Sequence, residues 1–332
     1  MKIREEAYQY YFYFIQERMN IFWRRFEGRS ESLTTDKILL KHKFTNVYRA
    51  QDRVSQYLIN EVIYNQKETF SGYDVLLRII VFKIFNNIDT WKFLENNIGV
   101  LRIDNFHINV ISKLLEKRIA LQPIFSPAYM MTGSHTNYAM YRYKHEKWLA
   151  MVELELIKGK RFERILEAKS LKEVYEILSE CAFIGPFLAY QYAIDFNYSQ
   201  VIDFDENSFV KAGIGSIRGI KKCFPDLGKY TFEDCIKFTQ DNLSLYQDRY
   251  GYNNFKDLFG RKPTLIDLQN CFCETDKYLR VRMPEIMVDN VRIKQKFDKP
   301  KGHIQFAFPP KWDINKHINQ CNITSSEALT LF

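Results

Sequence analysis

Ala182-Phe183-Ile184-Gly185-Pro186-Phe187-Leu188-Ala189 decides how this chain is read. A Gly-Pro break separates two apolar segments of helical period, Leu171 to Leu178 before it and Phe187 to Ile194 after it. Proline lacks an N–H and has a fixed φ, so it sits well in the first turn of a helix. The stretch therefore predicts two helices closely joined by a tight hairpin. Such a bend points the backbone N–H groups of the second helix outward, where they and the helix dipole can hold an anion such as phosphate. The dipole alone contributes about 0.3–1 kcal/mol, enough to position a ligand. The same residues also suit an ordinary helix–helix turn.

Working outward, the period stays helical. Further helices are predicted at Val75 to Phe85, Asn109 to Lys117, Tyr141 to Ile157, Ser216 to Cys223, Phe232 to Tyr246 and Leu265 to Arg280. Thr34, Thr35 and Asp36 offer an N-cap ahead of a long periodic stretch. There Val47, Val54, Tyr57, Leu58 and Val62 share one face, and Arg49, Asp52, Arg53 and Gln56 another, with Asn46 at its edge. Prolines fall at the joints. From Val288 the character changes to a Lys-rich stretch and then Phe306-Ala307-Phe308-Pro309-Pro310, read as an extended tail. The fold class is all-α, with residues 1–287 as a body of two lobes, about 1–120 and 121–287, and residues 288–332 as the tail.

With 332 residues, 46% hydrophobic and 16% aromatic, the chain buries a large core and is not a disordered one. Its net charge of +8 permits a phosphate-facing surface. The 6 cysteines include no C-x-x-C pair, so neither zinc nor an iron–sulfur cluster is expected. No signal-peptide pattern opens Met1-Lys2-Ile3-Arg4-Glu5-Glu6, which points to reduced thiols in the cytoplasm. The most apolar run, Val75 to Phe85, contains Arg78 and Lys83 and does not suit a bilayer.

Three further segments carry chemistry. The polar stripe Asn46, Arg49, Asp52 and Gln56 either lines a cleft or is a solvated face laced with ion pairs. Ala212-Gly213-Ile214-Gly215-Ser216-Ile217-Arg218-Gly219 suits a phosphate-cradling turn or a plain one. No G-x-x-x-x-G-K-[ST] occurs, so no Walker-type nucleotide site is expected. In Leu265 to Arg280, Glu274 with Lys277 and Asp276 with Arg280 form helix-compatible ion pairs.

The Phe183 to Phe187 bend resembles the hairpin of helix-hairpin-helix DNA-binding elements, with Phe183 in place of the usual first glycine. Glycosylases built on that hairpin place an acid shortly after its second helix, which falls here at Asp205, then Asp203, with Asp195 on the helix itself. Phe187 stands where bifunctional members have a lysine nucleophile, so the resemblance implies a monofunctional enzyme that leaves an abasic site.

Taken together, several ordered motifs resemble one family. They are Phe14 to Arg18 with Arg24 to Gly28, Phe44 to Gln56, Phe82 to Asn86 with Thr90-Trp91, Ser126 to Tyr129, Gly185 to Tyr198, Ala212 to Gly219 and Asp267 to Arg280. The family is the alpha-glutamyl/putrescinyl thymine pyrophosphorylases, also described as the helical domain of hydroxymethyluracil DNA kinases. It includes antiphage DNA glycosylases acting on glucosylated hydroxymethylcytosine.

The resemblance implies a helix-hairpin-helix glycosylase-like body of two helical lobes, with DNA between them and a modified base flipped out. The expected activity is excision of a hypermodified pyrimidine from phage DNA, with Asp205 serving bond cleavage. Asn46, Arg49, Asp52, Gln56, Lys83, Asn86 and Gln191 would form the substrate pocket. Ile184, Gly185, Phe187, Gly213, Gly215 and Arg218 would contact the DNA backbone. DNA bearing modified bases is the expected partner, with no cofactor, no metal, no nucleotide and no membrane. The alternatives are a transferase or pyrophosphorylase of thymine hypermodification, and a non-catalytic reader of modified DNA.

Overall fold

Phe and Tyr at three- and four-residue steps build the first helix, Glu5–Phe26, which buries Tyr8, Tyr11, Phe12, Ile15, Met19 and Phe22 along one side. Acids in its first turn and Arg24 and Arg25 in its last oppose the helix dipole. The computed structural model describes residues 1–28, 33–65, 67–127, 131–289, 293, 296 and 305–318. Among these every regular element is helical, and only isolated bridges pair extended backbone. The chain divides into two compact units, Met1–Asp52 with Phe209–Phe332, and Arg53–Ser208. The division thus falls at residues 52 and 208, not near residue 120. Two crossings of the chain join the units where one had been expected.

In the first unit the helices Glu5–Phe26, Ile214–Cys223 and Leu265–Arg282 pack on one another. Tyr11 stacks on Phe272 with centroids 4.2 Å apart, and the Tyr8 hydroxyl donates to Thr239 Oγ1 at 2.8 Å. Two glycines set the approach of the last two helices. A Cβ on Gly215 would collide with Cys273 Sγ, and one on Gly219 with the Phe272 carbonyl oxygen. Small residues four apart let these two backbones come together. Part of the tail packs here, as Phe306 meets Phe22 edge-on at 5.3 Å and Phe308 stacks with Trp312. Most of residues 290–304, and residues 319–332 with Cys321, lie outside the described residues.

The second unit is organised by Gly72–Phe85. Ser71 caps it, accepting from the Asp74 N–H, while Asp74 accepts from the Ser71 N–H. Nearly every residue of this helix is buried, which explains its all-round apolar sequence. Arg78, 0% exposed, is the exception that ties the unit together. It donates to the Val62, Glu61 and Leu101 carbonyls and to Glu95 at 2.7 Å. The Val62 and Glu61 carbonyls close a π-helical turn, Leu58–Ile63. Pro186–Asn197 packs against both Gly72–Phe85 and Leu171–Ser179.

The predicted helices at 75–85, 109–117, 171–178, 187–194, 216–223 and 265–280 are present within a few residues. Other expectations need correction. The stretch after Asp36 is not one long helix. Asp36 does cap a short helix, Lys37–Lys41, but residues 42–48 are then non-helical and bend at Val47 and Tyr48. A 3-10 turn (Arg49–Gln51), a short helix (Arg53–Tyr57) and the π turn follow. Side-chain carboxylates take the backbone N–H groups of Asn46 and Arg49, which competes with helix formation. Arg49, Asp52 and Gln56 therefore do not share one helical stripe. Phe232 to Tyr246 is broken at Asn242 into two helices. Tyr141 to Ile157 starts only at Lys144 and ends in a second π turn, Val152–Ile157.

Candidate functional site: an exposed helix start and buried polar centres

The bend is built from within. Ile184 N–H donates to the Cys181 carbonyl at 3.2 Å, and Phe183 adopts φ +66, the left-handed region that favours glycine. Phe183 holds it because its ring is locked, stacking on Trp148 at 5.2 Å and meeting Tyr138 at 5.1 Å. The Ala182 N–H donates to Glu155 Oε2 at 3.1 Å. Gly185 is the N-cap of Pro186–Asn197 and makes no side-chain cap bond. Gly185, Pro186 and Phe187 are exposed, whereas Ile184 is buried. Sequence reasoning found the bend but missed Glu155, which stands 27 residues before Ala182.

On the same unit, Lys83 leaves the last turn of Gly72–Phe85, and the chain then turns at Asn86, left-handed at φ +46. Lys83 Nζ donates to Asn86 Oδ1 at 2.9 Å and stands 3.5 Å from Asp195 Oδ2. Lys83 is 2% exposed and Asp195 0%. Two opposite charges withdrawn from water this far are tolerated because each offsets the other. Gln191, one helical turn before Asp195, is buried too. Lys83 and Asn86, expected at a pocket, and Asp195, expected as a candidate catalytic acid, are thus brought together. Gln56 is buried in this unit as well.

The other expected pocket residues lie in the first unit. Asp52 Oδ1 accepts from the Asn46 N–H at 3.0 Å and from Asn46 Nδ2 at 3.1 Å. The Arg18 guanidinium donates to Asn46 Oδ1 at 3.0 Å and to the Thr45 carbonyl at 3.1 Å. Burial pushes the Asp52 carboxyl up to about 6, against the opposing pull of the Asn46 N–H and Arg18. Arg49, buried, gives its N–H to Asp267 Oδ1 at 2.8 Å. Arg18 and Asp267 were not singled out as site residues. Their signal lies in distant contacts that no local pattern carries.

Asp203 and Asp205 are exposed. Asp205 Oδ1 accepts from the Asn207 N–H at 2.9 Å, a local turn. Gly213 caps Ile214–Cys223, Gly215 faces Cys273, and Arg218 Nε lies 3.9 Å from Asp289. The expected pairs Glu274–Lys277, at 2.7 Å, and Asp276–Arg280 are present. Not foreseen is Lys222, whose Nζ lies 3.0 Å from Asp276 Oδ1 and donates to the Asp276 carbonyl at 3.1 Å. Burial lowers its pKa while Asp276 opposes that shift. Among the described residues no group of three metal-ligating side chains occurs, and no helix is long and apolar enough to cross a membrane.

The described residues thus form helices, with an exposed helix start at Gly185 and buried polar centres. Residues 5–288 match the model of the 5-hmdU DNA kinase helical domain, and the chain belongs to that family. It is 24% identical over 287 residues to a 5-hmdU DNA kinase of Bacillus phage SP10. The alignment covers 81% of this chain and 44% of that protein, so the chain spans less than half the length of the relative. No solved structure matches it. The expectation of a DNA glycosylase that hydrolyses an N-glycosyl bond is corrected by this relative. It is named a kinase, which is a transferase and not a hydrolase.

Proposed function

We propose that this chain acts in the hypermodification of thymine-derived bases in DNA, as the part of a 5-hydroxymethylpyrimidine DNA kinase that holds the strand and presents the modified base. The observation that carries this reading is the family match over residues 5–288. Two features of the chain support it. The bend at Gly185 is an exposed helix start, the kind of terminus that suits a DNA phosphate. The Lys83–Asn86–Asp195 centre, with Gln191 on the same helix as Asp195, supplies donors and acceptors of the kind that read a hydroxylated substituent. Asn46, Arg49 and Asp52 make a second polar set of this kind in the other unit.

The Gly-rich segment does not fit a phosphate cradle for the donor nucleotide, since Gly215 and Gly219 are taken up by contact with the Leu265–Arg282 helix. Phosphoryl donor binding is therefore assigned to residues other than these. Asp203 and Asp205, being exposed carboxylates, are the proposed acceptors for the proton of the hydroxymethyl group. The fully buried Asp195 positions Lys83.

The test uses duplexes that differ at one base, thymine or 5-hydroxymethyluracil. Fluorescence anisotropy is expected to show at least about 10-fold tighter binding to the hydroxymethylated duplex, the size of one good polar discrimination. Asp195→Asn is expected to abolish the difference. Equal affinity of the unaltered chain for both duplexes would sink the base-presenting role.

A further inference from the structure

Between Glu116 and Glu146 the chain carries no Asp or Glu, the longest such gap in a sequence with 40 of them. Lys117, Arg118, Arg142 and Lys144 all fall inside it. Residues 131–143 of this gap run as a loop whose one regular turn is Thr136–Tyr138. Met140 is 78% exposed, an unbranched apolar side chain held out in water. Half-buried Tyr141 and exposed Arg142 follow it, and the Arg142 guanidinium lies over the Tyr143 ring at 5.1 Å.

The loop is fastened at its start and in the middle. Trp148 Nε1 donates to the Thr132 carbonyl at 2.8 Å, and Lys147 Nζ to the Gly133 carbonyl at 3.0 Å. In the middle, Tyr138 is 3% exposed and its hydroxyl donates to Glu155 Oε1 at 2.5 Å. The other oxygen of that carboxylate accepts from the Ala182 N–H inside the bend. The Tyr138 ring also meets both Phe183 and Tyr141, at 5.1 and 6.2 Å. One carboxylate and one ring cluster thus lock the exposed methionine to the bend at Gly185.

We propose that residues 139–142 form a wedge for duplex DNA, with Met140 entering a base step beside the modified nucleotide and Tyr141 and Arg142 flanking it. This rests on the strand-holding reading above. Apolar side chains, methionine among them, kink DNA by inserting between base steps, and the unstacking cost is offset by wider protein contact. An arginine beside an aromatic ring suits both phosphate and base faces. The absence of carboxylates across the segment removes the repulsion that would oppose a polyanion. A rigid mount is what a wedge requires, because a slack loop would fold away rather than part a stack.

The experiment uses the full chain and a duplex with 2-aminopurine next to a 5-hydroxymethyluracil. Fluorescence reports unstacking and anisotropy reports binding. The unaltered chain is expected to raise the fluorescence several-fold at saturation. Met140→Ala should cut that rise at least about 3-fold while the Kd moves less than about 3-fold, since the phosphate contacts that dominate affinity remain. Arg142→Gln should weaken binding to any sequence and reduce the salt slope by about 1. Leu154→Ala, also at an exposed apolar position, should change neither reading. If the unaltered chain binds without a fluorescence rise, or Met140→Ala gives the full rise, the wedge is wrong and strand holding stands. A chain that binds no duplex at all overturns both.

Discussion

Each compact unit buries a lysine beside an aspartate, and the two pairs are built differently. Lys222 meets Asp276 at 3.0 Å, donates to the carbonyl of the same residue, and shares its carboxylate with Arg280. That network sits on the helices that Gly215 and Gly219 bring together. Lys83 stands 3.5 Å from Asp195 and donates a hydrogen bond to Asn86 Oδ1, at a left-handed helix end. Burial and charge are the same in both, but the spacing is not. The first is a clamp between helices. The second joins a helix end to a neighbouring helix, with its two charges 3.5 Å apart and Asn86 bound to the lysine. A buried charge by itself does not mark a site.

The largest expected effect is at the clamp. Asp276→Ala leaves Lys222 and Arg280 uncompensated and should cost about 3–5 kcal/mol in urea unfolding. Asp195→Asn should cost clearly less, because its ion pair is longer, while taking away discrimination between modified and unmodified DNA. Equal losses of stability in the two variants would erase the contrast.

A half-buried acid, Asp52, sharpens the comparison, since arginines and not a lysine oppose its shift. The Asp52 carboxyl is raised to about 6 by burial, so the folded chain binds its proton more tightly than the unfolded chain. Its contribution to stability is full below about pH 4 and is lost as the pH rises through 6. Asp52→Asn keeps an oxygen for the two Asn46 bonds. It should therefore be more stable than the unaltered chain at pH 7, by at most about 3 kcal/mol. Unfolding curves from pH 4 to pH 7 that stay parallel for the two proteins would contradict this.

The glycines divide in the same way. Gly219→Ala should cost about 1–3 kcal/mol, because the added methyl meets the Phe272 backbone. At Gly185 a Cβ would meet no atom within 4 Å. Gly185→Asp should leave stability unchanged or raise it by up to about 1 kcal/mol, since aspartate is a good N-cap. On the proposed strand-holding role DNA affinity should fall, because a carboxylate would repel the phosphate assigned to this helix start. Stability and binding moving together would place Gly185 among the packing glycines.

What the sequence disclosed followed how local each cause is. Gly72–Phe85 was legible from its apolar run, and Pro186–Asn197 from a proline at its start. The stretch from His42 to Asp52 was misread because Asp267, more than two hundred residues away, takes the Arg49 N–H and unmakes the apparent period. Lys83, Asn86 and Asp195 were each named, and the fold joins them. Lys222 was overlooked, because its partner lies 54 residues along the chain. The Gly-rich segment was legible as special, but its purpose lay in the helix it faces.

Phe183 carries one more consequence. A glycine there would let the bend form by itself, whereas a left-handed phenylalanine costs about 1–2 kcal/mol until its ring finds Trp148 and Tyr138. The corner therefore depends on the closed aromatic cluster to hold its shape. Amide exchange at Ile184 should keep pace with that at Trp148, so that whatever loosens the cluster also dulls the corner.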